Sequence, residues 1–369
     1  MRTEENDIAM RLAVNEVSSA WNERNVKLMR ERAIATWNTF FAYDGYYSGD
    51  DDALSILLDT LKSVAPDHDT QAVNFETIRA ENRKTDRVVY ALYDLEKHPP
   101  QFDFFTFMTQ AKTWAQGRHL HIVFMPTEQG HFVRPGKYSN SEAIYRFGHI
   151  CLAACNLYSV SHTLLTSRDA KLPDGEWLDG LTAEYKAVVE AWELNGTLAR
   201  LRSTLRAREL VSQFLEVFEK PVVTITLRDT FRYLSRNSQH DAWLQFADNI
   251  SGQYQPVFVP DTSRAFDHWD KPYPCFPIGA VDLDSRVALY ELSEMNCFSS
   301  NGPGNTCWLG HGSFLFFNTR AADYVGEEVW ERMRIPVGSQ PLYLKPRQKL
   351  VWEIDSLDVI EKEFSAMMA

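Results

Sequence analysis

Residues 276–318 constrain the fold more than any other stretch of this chain. They read FPIGAV, DLDSRVALYELSE, MNCFSS, NGPG, NTCWLGHG and SFLFFN in succession. That order predicts a strand, a helix, a strand, a Gly/Pro turn, a short helix and a strand. Apolar runs of strand length alternating with helix-period segments require a parallel sheet with crossover helices. In such sheets ligands bind beyond the carboxyl ends of the strands, and the turn Ser300-Asn301-Gly302-Pro303-Gly304-Asn305 falls there. Gly302 and Gly304 would let the backbone come close to a bound group, and Pro303 suits a first helical turn. Open amides at the start of the next helix would then face an anion such as a phosphate. The alternative is a plain strand-to-helix turn with an Asn cap.

The same alternation runs through the rest of the chain. RVVYALY and HLHIVFM are buried-strand runs on either side of a helix over 102–116 that Gly117 ends. A helix over 141–156 capped by Ser139 follows, then a strand within 156–167. Ahead of these, Met10, Val14, Val17, Trp21 and Leu28 recur at helical spacing. Asp50-Asp51-Asp52 precedes a helix over 53–64 and reads as a helix start rather than a metal site. Residues 168–182, with Pro173, Gly175 and Gly180, read as a linker. A helical region broken at Asn195-Gly196 comes next, with Arg200, Arg202, Arg206 and Arg208 opposite its apolar face: a solvated face, or a basic patch. PVVTITL over 221–227 reads as a central strand, 240–250 as helix, 255–259 as strand and 357–368 as helix.

A chain of 369 residues exceeds one ordinary core, so two domains are expected. The net charge of −12 argues against a nucleic-acid partner. The sequence has neither an apolar run long enough to span a membrane nor a signal-peptide layout at its start. Its five cysteines lie in apolar segments, as reduced core residues of a cytoplasmic protein would. Oligomeric state is not legible.

Three places hold chemistry. The loop after HLHIVFM carries Glu128 and His131, both general bases by type, and Arg134, a cation suited to gripping a carboxylate or phosphate; singly, each also reads as a solvated loop residue. Arg146 lies on the helix beyond it. In the second half the strand 221–227 runs into Arg228, whose desolvation is offset where it meets an anion at the crevice mouth or pairs with Asp229 or Asp261. Arg236 and Asn237 stand just before a helix start and add to the same site. Asp282-Leu-Asp284 spells an Asp-x-Asp metal motif, but it precedes a helix, and capping is the expected role.

These residues carry a resemblance. Two Rossmann-like halves, an Arg-bearing first strand in the second and a late Asn-Gly-Pro turn resemble a GT-B glycosyltransferase. ALYELSEMNCFSSNGPGNTCWLGHGSFLFFN is similar to the donor-site region of bacterial heptosyltransferases, with Ser300 where many have an acidic residue. VTITLRDTFRYLSRNS resembles the strand-plus-arginine motif of O-fucosyltransferases and their bacterial relatives, with Asp229 in place of a second basic residue. The resemblance covers about residues 85 to 355.

It implies an α/β protein of two Rossmann-like domains facing each other across a cleft, behind a helical N-terminal extension. The expected divisions are 1–80 for that extension, 81–167 for an acceptor-side domain, 168–199 for a linker and helix, 200–352 for a nucleotide-sugar domain, and 353–369 for a C-terminal helix packing back toward the first domain. The implied activity is metal-independent transfer of a sugar from a nucleotide-diphosphate donor to a glycan or protein hydroxyl, with no cofactor. Arg228, Arg236, Asn237, Asn301, Gly302, Pro303, Gly304 and Asn305 would bind the donor. Glu128, His131 and Arg228 would be catalytic, and Arg134 and Arg146 would face the acceptor. A non-catalytic binding protein on the same fold, and a sugar-nucleotide epimerase or hydrolase, are the alternatives.

Overall fold

A computed structural model describes residues 88–130, 139–230, 234–320 and 326–369. The helical reading of the first 80 residues therefore lies outside the described residues, as do His131 and Arg134. Residues Val89–Gln116 and Leu120–Ala369 form one compact unit.

That unit holds two separate parallel sheets. The first contains β1 (Val89–Asp94), β2 (Leu120–Met125), β3 (Ser161–Leu164) and β4 (Glu176–Trp177), in the order β3-β2-β1-β4. α1 (Phe104–Trp114) crosses from β1 to β2. The link from β2 to β3 contains α2 (Asn140–Arg146), a π-helical turn over Phe147–Leu152 and α3 (Ala153–Leu157). Ser139 caps α2 as expected, its Oγ accepting from the Glu142 amide at 3.2 Å. The single helix expected over 141–156 is thus interrupted by a wider turn. β4 lies inside the segment read as a linker, where two residues suffice to extend the sheet beside Val89 and Tyr90.

α4 (Tyr185–Asn195) ends at Gly196, whose φ of 67° is the left-handed conformation that lets the chain leave a helix. Leu198 and Leu201 then lie in extended chain ahead of α5 (Leu205–Leu215) rather than on a helix. The second sheet contains β5 (Val222–Thr226), β6 (Gln255–Val259), β7 (Met295–Ser299), β8 (Phe314–Phe317) and β9 (Gln348–Leu350), in the order β6-β5-β7-β8-β9. Its crossovers contain α6 (His240–Ile250), α7 (Ile278–Val281), α8 (Leu283–Leu292), α9 (Gly304–Trp308) and α10 (Glu327–Arg332), and α11 (Leu357–Met368) ends the chain.

FPIGAV is not a strand. The Phe276 amide donates to Phe258 O at 2.7 Å, and Pro277 then opens the one-turn helix α7. Every residue of β5, β7 and β8 is buried, as strands covered on both faces must be. Alternation assigns Phe314 and Phe316 to a core shared with α1 and the first sheet, and Leu315 and Phe317 to the core on the opposite face. The C-terminal helix joins that opposite core. Phe364 meets Phe246 of α6 edge-on at 5.1 Å, so α11 packs on the second sheet and not toward the first half as expected. Cys151, Cys155, Cys297 and Cys307 are buried free thiols, and Cys275 is half-buried.

Candidate active site

The order of the second sheet locates a crevice by itself. The chain steps from β5 outward to β6, then crosses back to β7 on the other side. The loops leaving β5 and β7 therefore diverge, opening a gap at their carboxyl ends. Arg228 follows β5 and Ser300 follows β7, so both border that gap.

Main-chain bonds fix Arg228. Its amide donates to Ser238 Oγ at 2.9 Å, and its carbonyl accepts from the Ser238 amide at 3.0 Å. The Ser238 hydroxyl in turn donates to Ser299 Oγ at 3.1 Å, and Ser299 donates to Asp355 Oδ2 at 2.5 Å. That same oxygen accepts from Trp243 Nε1 at 2.7 Å and the Gln239 amide at 3.1 Å. Arg236 is only 8% exposed, and its Nη2 donates to Ser300 Oγ at 3.1 Å. The Asn237 side chain closes its own loop, accepting from the Thr230 amide at 3.2 Å and donating to Thr230 O at 2.8 Å. Arg228, Arg236 and Asn237 thus come together with the 300–305 turn, on one hydrogen-bonded floor that extends to α6 and the residues ahead of α11.

The turn itself differs from the expected anion cradle. The Gly304 amide donates to Asn301 Oδ1 at 2.7 Å, and those of Asn305 and Thr306 donate to Gly302 O at 3.1 Å and Pro303 O at 3.0 Å. Asn305 Nδ2 donates to Phe102 O at 3.2 Å, and its Oδ1 accepts from the Tyr185 hydroxyl. The glycines make room for protein: a Cβ at Gly302 would meet Phe102 at 2.5 Å, and one at Gly304 would meet Phe298 and Phe316 at 2.7 Å. The turn is therefore a tight seam between the halves of this unit. Gly304→Ala is expected to lower stability by about 1–3 kcal/mol through overpacking, read as a fall in the denaturant midpoint at constant m. An unchanged midpoint would show that the two rings give way freely.

The first sheet has its own reversal of order, between β1 and β4, and Asp94 ends β1 there. Arg168 grips Asp94 with both terminal nitrogens, at 2.7 and 2.9 Å, and also reaches Pro126 O at 2.8 Å. Burial pushes the Asp94 carboxyl up, but the hydrogen bonds from Arg168 and the Glu96 amide outweigh it and hold it below the usual range. Glu128 stands past the carboxyl end of β2 and is exposed, and its amide donates to Glu96 Oε2 at 3.2 Å. Arg146 pairs with Glu142 at 3.0 Å. Asp282 caps α8, accepting from the Ser285 amide at 2.8 Å, and Asp284 accepts from the Thr204 amide at 2.8 Å.

One buried residue close to the crevice escaped the sequence reading. Arg286 is 1% exposed and forms no ion pair among the described residues. Its Nε donates to Gly279 O and its Nη1 to the Tyr290 hydroxyl at 3.3 Å, which meets Thr226 Oγ1 at the end of β5 at 2.8 Å. A buried cation is thereby held close to the crevice, and with burial it keeps His149 below its ordinary pKa. The sequence signal was an arginine at helical spacing between the apolar Leu283 and Tyr290.

No protein-family model matches the chain, and no curated protein sequence matches it. Among solved structures it is similar to a glycosyl transferase family 9 protein from Veillonella parvula, at 11% identity and TM-score 0.43, covering 76% of this chain and 97% of that one. The ADP-heptose lps heptosyltransferase II of E. coli is similar at 10% identity and TM-score 0.40, covering 76% of this chain and 98% of that one. The UDP-GlcNAc 2-epimerase of Methanocaldococcus jannaschii is similar at 9% identity and TM-score 0.32, covering 76% and 92%.

Proposed function

We propose that this chain transfers a glycosyl group from a nucleoside-diphosphate donor to an acceptor hydroxyl. The observation that carries the reading is the convergence of Arg228 and Arg236 at the β5/β7 reversal, where parallel α/β sheets bind ligands. Departure of a diphosphate concentrates negative charge on its bridging oxygen. Fixed guanidinium groups in a water-poor crevice stabilise that charge without reorganising, so the reaction needs no metal. As the acceptor oxygen bonds to the anomeric carbon and the carbon–phosphate-oxygen bond breaks, the acceptor proton must leave. Glu128 takes that proton in this reading. Asp94, Asp261 and Asp229, other carboxylates near strand ends, are engaged with Arg168, with the Ser263 and Asp229 amides, and with Arg264 respectively. Residues 81–167 then form the acceptor wall and 200–352 the donor side.

The test is a thermal-shift series with ADP, GDP and UDP, followed by turnover of the matching nucleotide sugars. One nucleotide at about a hundred times its Kd is expected to add ~2.7 kcal/mol of stability. Glu128→Gln is expected to lower turnover about a hundredfold while leaving that stabilisation in place, as loss of a general base does. Absence of stabilisation by any of the three nucleotides would overturn the reading.

A further inference from the structure

A second concentration of positive charge lies at the other end of the second sheet. His311 precedes the amino end of β8 and Lys345 precedes that of β9, whereas the candidate active site borders carboxyl ends. Lys345 Nζ donates to His311 Nδ1 at 2.8 Å. Arg200, on the chain between α4 and α5, reaches in beside them. Its Nη1 donates to Gly310 O at 3.1 Å and Trp308 O at 3.5 Å, and its Nη2 to Tyr343 O. Carbonyls orient a guanidinium but leave its charge in place. Arg202 and Arg208 act on the same imidazole. Of these, Arg208 is paired with Glu291 at 2.7 Å, and Glu291 also accepts from the Ser203 amide at 3.3 Å. Arg200, Arg202 and Lys345 form no ion pair among the described residues.

Three cations without an ion-pair partner among the described residues, with Glu291, itself paired to Arg208, as the carboxylate acting on Lys345, are out of place in a chain of net charge −12. Their mutual repulsion, with burial the larger cause, acts on the titrating groups. Burial, with the charges of Arg202, Lys345 and Arg200, holds His311 down to about 3. Burial, with Arg200 and Arg202, brings Lys345 down to about 8 against an upward pull from Glu291. The imidazole is therefore neutral, accepts at Nδ1 and keeps a proton to donate from Nε2. The frame is rigid as well. A Cβ at Gly310 would run into Thr306 O, and one at Gly312 would meet Tyr290 O at 2.6 Å, so the chain on both sides of His311 lies flat against backbone. Gln348 ties the two loops together, accepting from the Lys345 amide at 3.0 Å and donating to Gly312 O at 2.9 Å.

We propose that His311, Lys345, Arg202 and Arg200 form an anion site that takes a phosphate group. A compact ammonium, a planar guanidinium and a neutral imidazole N–H donate along different directions, which suits a tetrahedral dianion better than a planar carboxylate. The phosphate belongs to a soluble phosphorylated molecule or to a phospholipid headgroup, the two sources of that chemistry.

Competitive acetylation of the full chain at pH 8, read peptide by peptide by mass spectrometry, tests this directly, because Lys345 is reactive there when the site is empty. Saturating inorganic phosphate is expected to slow Lys345 acetylation about fivefold or more, with Lys220 unchanged as internal reference. The same protection is expected in Arg228→Ala, which separates this site from the crevice. Arg202→Ala, checked for a native melting transition, is expected to lose most of the protection. Vesicles containing phosphatidylglycerol protect Lys345 in phosphate-free buffer if the headgroup is the ligand, and phosphatidylcholine vesicles do not; a soluble ligand leaves both without effect beside full protection by inorganic phosphate. Equal acetylation with and without phosphate, or full protection in Arg202→Ala, would overturn the proposal.

Discussion

Replacing Arg228 by alanine is expected to lower kcat/KM for sugar transfer by about 2–4 kcal/mol of transition-state stabilisation, or roughly 30- to 900-fold. The fold should be almost untouched. The bonds from its amide to Ser238 Oγ and from the Ser238 amide to its carbonyl use main-chain atoms that alanine retains. The main-chain anchors of the loop then stay while the guanidinium is gone, so the loss in rate reports the side chain. Steady-state kinetics together with a melting curve check this. Unchanged turnover and nucleotide affinity would remove Arg228 from the site, and a large drop in melting temperature would show that the side chain has a structural role.

Asp355→Ala is expected to have the opposite signature, a large loss of stability that carries the site with it. Asp355 is 1% exposed, and one of its oxygens receives three donors: the Ser299 hydroxyl, Trp243 Nε1 and the Gln239 amide. Truncation leaves a fully buried indole N–H and a backbone amide without an acceptor, at a cost of about 3–5 kcal/mol. Ser299 and Ser238 would lose their alignment, and with them the latch on Arg228. Chemical denaturation measures the first effect and nucleotide affinity the second. Asp355→Asn keeps an acceptor in place and should cost less than half as much. An alanine variant with the parental denaturation midpoint would show that this carboxylate does not hold the floor together.

The elements that were legible were those whose cause is local. His240–Ile250, Gln255–Val259 and Leu357–Met368 form over the residues that their periodicity marks, because burial of one face or of a whole run is written into consecutive residues. The positions of Arg228 and Arg236 were legible for the same reason, since each stands just past a strong strand or just before a helix start. FPIGAV misled because an apolar run does not distinguish a strand from a buried helical turn, and Pro277 decided for the turn. Gly302 and Gly304 make room for phenyl rings, a use that reads in the sequence just as a glycine admitting a ligand does.

By itself the sequence determined the α/β class, the parallel sheets and the position of two arginines, one past the end of a buried strand and one ahead of the next helix. The tertiary structure alone decided what surrounds them. Trp243 and Asp355 are 112 residues apart, Arg168 and Asp94 are 74 apart, and Arg200 is 143 from the carbonyl that orients it beside Lys345. Local spacing carries the period of a helix or strand because neighbouring side chains alternate in direction along one backbone. It carries nothing about which distant polar group will supply the missing partner, since that depends on how the two sheets bring separate crossovers together.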